Sequence, residues 1–130
     1  MTERALQAEI MTRLRSWPVI ALPIPNSLHL PRRTPDERAV IARVVYQMKN
    51  SGMLVTGSPD LVLFWCDGAA MCELKRPASR DLLGKRKPAG RPSEGQKAMA
   101  QRCADLRIKH CYASSWQELR AKLHEWGVDR

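Results

Sequence analysis

Between Gly57 and Pro77 the chain reads GSPDLVLFWCDGAAMCELKRP: two apolar runs, Leu61 to Cys66 and Ala69 to Lys75, separated by Asp67-Gly68. Asp-Gly between such runs is a strong hairpin signal, because both turn positions favour positive φ. Both faces of each run are largely apolar, so the strands belong in the middle of a sheet covered on two sides. With Asp67-Gly68 as the turn, Cys66 faces Ala69 and paired positions sum to 135, which sets Asp60 opposite Lys75 and Val62 opposite Glu73. Asp60, Glu73 and Lys75 then share one face. A turn longer by two residues keeps that parity, whereas an odd-length loop or a bulge breaks it. Glu73 and Lys75 are about 6 to 7 Å apart along one strand, with Asp60 within side-chain reach across the ladder. By the same parity Cys66 and Cys72 point to opposite faces and do not form a disulfide.

The remaining segments supply the layers. Leu6, Ile10 and Leu14 recur at helical spacing, predicting a helix over residues 3–16 ended by Pro18. Residues 19–25 read as an extended stretch that Pro23 and Pro25 restrict to a sheet edge. TPDE announces a second helix, with Thr34 as N-cap, Pro35 at the first helical position and Glu37 completing a capping box. Val40, Ile41, Val44, Val45 and Met48 are its expected buried face, and Gly52 ends it. Residues 76–92, rich in Pro, Gly, Lys and Arg, read as a long exposed loop. Ser93 to Leu106 reads as helix, IKHCYAS as a short strand, and Ser115 to Trp126 as a last helix with Trp116, Leu119, Leu123 and Trp126 on one side. No internal repeat is present. The order predicts one α/β domain over residues 1–130, a sandwich with a mixed central sheet and a hairpin carrying the charged residues.

Charge narrows the function classes. The chain carries 22 Lys and Arg against 13 Asp and Glu, a formal net charge of +9, which favours a polyanionic partner. Nucleic acid is preferred over a membrane surface, because no helix carries the Lys-rich polar face of an interfacial segment. No apolar run reaches the ~18 residues of a membrane span, and the polar start MTERALQAEIMTRLR lacks a signal peptide's apolar region, so a cytoplasmic location is expected. Cys66, Cys72, Cys103 and Cys111 show no C-x-x-C spacing and no partnering His-x-x-x-His, so they read as reduced core thiols rather than zinc ligands. His29, His110 and His124 are scattered and carry no assigned chemistry.

An Asp after Pro is ordinarily a turn residue, and a Glu-x-Lys pair ordinarily a solvated ion pair. At the ends of central strands the balance changes: burial penalises unpaired carboxylates and favours a bound cation. Mg²⁺ takes oxygen ligands and keeps several waters, so two carboxylates and a main-chain carbonyl suffice for an open site.

These residues carry a family resemblance. PD at 59–60 followed by ELK at 73–75 resembles the PD-(D/E)xK signature of the restriction-endonuclease-like nucleases. More narrowly, GSPDL, CELK and SEGQ resemble the VRR-NUC (virus-type replication-repair nuclease) domain: G-x-P-D-L, then E-x-K, then S-x-x-Q opening a helix, with a Glu on the first helix. The likeness runs from Glu9 to the final helix, as in the small standalone form of phages and bacteria. It implies a restriction-endonuclease-like three-layer sandwich and a Mg²⁺-dependent endodeoxyribonuclease, Mn²⁺ substituting, acting on branched DNA such as four-way (Holliday) junctions. It further implies that Asp60, Glu73 and the Leu74 carbonyl hold the metal and that Lys75 is the catalytic lysine. Gln96 would support the site, and Glu9 would reach it through water or a second cation. Ser93-x-x-Gln96 also reads as an ordinary capping box, and Glu9 flanks the apolar stripe where a Glu is often solvated border. A two-fold-symmetric junction needs paired cuts, so a homodimer is expected, through the C-terminal helix.

Residues 75–97 contain eight basic side chains against two acidic ones, net +6 of the chain's +9. Arg76, Lys85, Arg86, Lys87, Arg91 and Lys97 are the expected phosphate contacts, on a mobile arm that Pro88, Gly90 and Pro92 keep from being helical. Arg32 and Arg33 could add a second contact. Aromatic residues, at 5%, are not interleaved with the basic ones, so base stacking is secondary. The competing readings are duplex, flap or nicking cleavage by the same chemistry, a non-catalytic DNA-binding module with a structural acidic cluster, and an RNA-processing protein of the same fold.

Overall fold

The computed structural model describes residues 1–24, 34–52 and 57–129, leaving Pro25, His29, Arg32 and Arg33 outside the described residues. In chain order the elements are α1 (Glu3–Leu14), β1 (Ile20–Pro23), α2 (Pro35–Asn50), β2 (Leu61–Trp65), β3 (Gly68–Leu74), β4 (Ser79–Arg80), β5 (Arg86–Lys87), α3 (Glu94–Asp105), β6 (Lys109–Ala113) and α4 (Trp116–Glu125). The main sheet is mixed, in the order β1-β2-β3-β6: β1, β2 and β3 pair antiparallel, and β6 joins β3 in parallel. Proline-bearing β1 sits at the edge and the hairpin strands at the centre, both as expected.

Alternation along the strands separates two faces. Leu61, Leu63, Cys72, Leu74, Cys111 and Ala113 face α1 and α4, closing a core with Leu6, Ile10, Leu14, Leu119 and Leu123. The opposite face carries Met71, Glu73 and Tyr112 and meets α3, through Cys103 Sγ and Met71 Sδ at 3.5 Å and a bond from the Tyr112 hydroxyl to the Gln96 carbonyl at 3.3 Å. Helices thus lie on both faces of a four-stranded mixed sheet. Each helix start has a local cause. Thr2, Ser93 and Ser115 accept from backbone N–H groups one turn on, and Thr34 and Glu37 make the reciprocal pair of a capping box.

The hairpin differs from expectation by one residue. Pairs run from Leu61↔Cys72 to Trp65↔Gly68, so paired positions sum to 133 and the turn is Cys66-Asp67, neither of which adopts positive φ. Gly68 is needed for another reason: a Cβ there would lie 2.8 Å from the Trp65 indole. The ladder ends at Leu61↔Cys72, and Asp60 N–H donates to that same Cys72 carbonyl, one residue out of step. A bulge and not a continued register therefore places Asp60, which meets Glu73 through its side chain rather than standing opposite Lys75. Cys66, expected as a core thiol, lies exposed in the turn, while Cys72, Cys103 and Cys111 are buried free thiols.

Two further expectations are corrected. The apolar stripe of α2 is only partly covered among the described residues: Val40 is 56% and Val44 38% exposed, while Ile41, Val45 and Met48 are half-buried. The apolar side of α4 packs in the chain's own core, where Trp116 meets Trp17 edge-on at 5.6 Å and Trp126 stacks on Trp65 at 5.9 Å, while Gln117, Arg120 and His124 are exposed. Residues 76–92 are not a structureless arm, since β4 and β5 pair as a short antiparallel hairpin. Among the described residues no helix is long and apolar enough to cross a membrane.

Candidate metal centre

Asp60 follows Pro59 at the bend that opens β2. Its N–H donates to the Cys72 carbonyl (3.0 Å) and its carbonyl accepts from Ile24 N–H (2.9 Å), fixing it to both neighbouring strands. β2 begins at Leu61, so Leu74 near the end of β3 has no ladder partner on that side; the Asp60 carboxylate takes that place, accepting the Leu74 N–H at 2.7 Å. N–H and C=O of one extended residue leave the strand on the same side, so the Leu74 carbonyl is directed toward Asp60 as well.

Glu73 is fully buried, at 0% exposure. Its Oε2 accepts from Gln96 Nε2 at 3.0 Å, whereas Oε1 is buried without a donor. Burial, then the charge of Asp60 and a hydrogen bond shared with it, push its pKa up to about 8; Lys75 opposes the shift and Glu3 adds to it. Lys75, 8% exposed, donates its ammonium to Gln96 Oε1. That oxygen also accepts Ser93 N–H at 3.0 Å while Ser93 Oγ accepts Gln96 N–H at 3.2 Å. Gln96 therefore does both jobs expected of it, closing the capping box of α3 and bridging the lysine to the buried carboxyl.

Two glycines make this approach possible. Gly57 has φ +81°, and a Cβ on it would lie 2.2 Å from the Gly95 carbonyl oxygen, so the loop bearing Asp60 and the start of α3 touch backbone to backbone. Gly57→Ala should cost about 2 to 4 kcal/mol, from positive φ and from the clash. Circular dichroism should show a melting temperature lower by roughly 10 °C. An unchanged value would mean the loop and helix can separate without loss.

Glu9 does not join the cluster. It faces Arg13 at 3.9 Å on α1, and the α1 acid whose charge bears on Glu73 is Glu3. At about 100° per residue Glu3 falls on the Leu6, Ile10, Leu14 stripe, whereas Glu9 is rotated well off it. That periodicity was the available signal for Glu3. Gly90 packs against the same acid, an added Cβ lying 3.4 Å from Glu3 Oε1 and 3.7 Å from Lys75 Cδ. Of the basic residues, Lys85, Arg86, Lys87, Arg91 and Lys97 are exposed, Lys97 pairing with Glu94 at 3.2 Å. Arg76 is half-buried and spends a donor on the Pro88 carbonyl at 3.0 Å. A cleft of about 490 Å³ lined by Arg13, Trp17, Trp116, Arg120 and His124 lies between α1 and α4, on the other side of the sheet.

Among the described residues no three His, Cys, Asp or Glu side chains gather as a metal-binding group. The donor set is smaller: two opposed carboxyls, one of them with a buried oxygen lacking a donor, and a directed carbonyl. Such a set fits a hard divalent cation that keeps part of its water shell.

Fold and cluster define a mixed α/β protein with a buried carboxylate pair and a tethered lysine at the end of its central hairpin. Compared with protein-family models, with curated proteins and with solved structures, the chain finds no match.

Proposed function

We propose that this chain is a divalent-metal-dependent DNA nuclease of the restriction-endonuclease-like fold and VRR-NUC type, acting on branched DNA such as four-way junctions. The observation that carries the reading is the Glu73 carboxyl: buried, facing Asp60, with an oxygen no donor reaches and an ammonium two residues on. A cluster that is only structural gains nothing from a buried oxygen without a donor, whereas a cation would make use of it.

Asp60 and Glu73, with the Leu74 carbonyl, would hold Mg²⁺ or Mn²⁺. When bound, the cation supplies Lewis-acid stabilisation of the scissile phosphate and lowers the pKa of water. Glu73 would hold the cation in its charged form, its proton passing to solvent. Gln96 fixes the Lys75 ammonium beside the carboxylates, where it stabilises negative charge developing on the phosphate. Burial of Lys75 and Glu73 strengthens both effects by excluding water. Paired cuts on a two-fold substrate require a homodimer, for which the C-terminal helix α4, whose polar side is exposed, is one candidate face and the half-exposed stripe of α2 another.

The test is cleavage of labelled junction, duplex, flap and single strand side by side, with Mg²⁺, with Mn²⁺ and with chelator. Junction cutting that chelator stops is the expected result. DNA retarded in gels yet intact with every divalent metal would replace the nuclease with a binding module, and preference for duplex, flap or RNA would move the substrate within the same chemistry.

A further inference from the structure

The hairpin that leaves the cluster has a tip unlike the rest of the surface. Leu82 is 106% and Leu83 95% exposed, the most exposed large hydrophobic side chains among the described residues. They are flanked by Arg80 on one strand and by Lys85, Arg86 and Lys87 on the other. The tip is held in one shape: Asp81 Oδ1 accepts Leu83 N–H (2.9 Å) and Lys85 N–H (2.8 Å). Asp81 N–H donates to the Lys85 carbonyl (2.9 Å), Gly84 turns with φ +78°, and Arg80 Nη1 donates to the Gly84 carbonyl (3.1 Å). The one acid of the hairpin, Asp81, is thereby turned to backbone N–H groups, and the hairpin keeps a net positive charge from Arg80, Lys85, Arg86 and Lys87. At its base, Arg76 Nη2 donates to the Pro88 carbonyl (3.0 Å) and Gly90 N–H to the Arg76 carbonyl (2.9 Å), beside Lys75.

We propose that this hairpin is a wedge: Leu82 and Leu83 insert at a branched or distorted base step of DNA while Arg80, Lys85, Arg86 and Lys87 hold the flanking phosphates. The inference rests on the nucleic-acid part of the reading above, not on cleavage. Apolar side chains inserted between bases are an established way to kink or open a duplex, and a mismatched or branched step is the cheapest to unstack. A preorganised tip binds without the entropy cost of ordering a loop. Two leucines bury less than one acyl chain, which alone holds a protein to a membrane only marginally, so the same tip is a poor membrane anchor. Leu82 lies seven residues beyond Lys75. Extended chain therefore puts the wedge no more than about 23 Å from the lysine, which limits the cut to within roughly seven base steps of the opened one.

The experiment uses full-length protein in chelator, so no cleavage is needed, with a junction and a duplex each carrying 2-aminopurine at the branch or the matching position. The wild type should raise fluorescence on the junction. Leu82→Ser with Leu83→Ser, which removes no internal contact, should abolish that rise and lower the preference for junction over duplex about tenfold, with the slope of affinity against salt unchanged. Neutralising Lys85, Arg86 and Lys87 to Gln should instead reduce that slope by about 2 to 3. A double-serine variant that still unstacks and discriminates, or a wild type that unstacks nothing, overturns the wedge. It is also overturned if the leucines govern sedimentation with phosphatidylserine vesicles while leaving DNA binding untouched. Failure of cleavage in Mg²⁺ with unstacking intact would instead remove the nuclease and leave the wedge.

Discussion

Lys75→Ala should reduce cleavage in Mg²⁺ by at least about a thousandfold, the scale lost when a preorganised charge-stabilising donor is removed from a dry site. The argument is local. Lys75 is 8% exposed and its ammonium is tethered to Gln96, so its charge is held at one place, and a neutral water entering the space left by the side chain would not replace it. The scaffold survives the change: Gln96 still accepts Ser93 N–H and still donates to Glu73, so the cap of α3 and the carboxyl's orientation are kept. Melting temperature and affinity for DNA in chelator should therefore stay near wild type while the rate collapses. Loss of the ammonium also removes an influence that lowers the pKa of Glu73, so the variant's carboxyl holds its proton more tightly and admits a cation less readily. Lys75→Arg should not rescue activity, because a planar fork cannot occupy the point-charge position beside Gln96. Cleavage within tenfold of wild type would remove lysine from the mechanism.

Glu73 and Lys75 were legible because residues two apart on one strand share a face wherever the turn falls, and both meet Gln96. Asp60 reaches them by a route that pairing parity did not give: beyond Leu61↔Cys72 the ladder bulges, and the Asp60 carboxylate takes the Leu74 N–H. The Asp67-Gly68 dipeptide misled because Gly68 serves the Trp65 indole rather than a positive-φ turn, a tertiary requirement invisible to local pattern. Gln96 was legible twice over, since Ser-x-x-Gln encodes the cap and the cap places its amide at the site. On α1 the sequence reading named Glu9, which pairs with Arg13, whereas the acid whose charge bears on Glu73 is Glu3, one that continues the Leu6, Ile10, Leu14 line. For α2 the amphipathic pattern was read correctly as a stripe, but a stripe states only that a face is apolar, not that this chain covers it. Residues 76–92 hid a hairpin because its strands have two residues each and its turn depends on one Asp81 carboxylate capping two N–H groups.

Glu73→Gln should invert the pH behaviour of the metal-free protein as well as abolish cleavage. The Glu73 carboxyl rises from its ordinary 4.5 to about 8 on folding, so between those values the native state holds a proton the unfolded chain has released. Stability linked to this group is therefore fully present below about pH 4.5 and lost as pH rises through about 8. The loss is on the order of a few kcal/mol, large against the total stability of a small domain. Half-buried His110, whose pKa is lowered by desolvation, acts in the opposite sense, costing stability as acid protonates it, but it does so in both proteins. The difference between wild type and Glu73→Gln, from urea denaturation in chelator across pH 5 to 9 (a range of about four units), isolates the carboxyl. The amide cannot ionise and its NH₂ can donate toward Asp60, so above neutral pH the variant should be the more stable of the two in chelator. Adding Mg²⁺ should reverse that order, stabilising wild type by neutralising the paired carboxylates and leaving the variant nearly unmoved. Parallel pH profiles for the two proteins, with equal responses to Mg²⁺, would mean that Glu73 is neither protonated in the folded state nor a ligand. The cluster would then reduce to a structural hydrogen-bond network around Gln96.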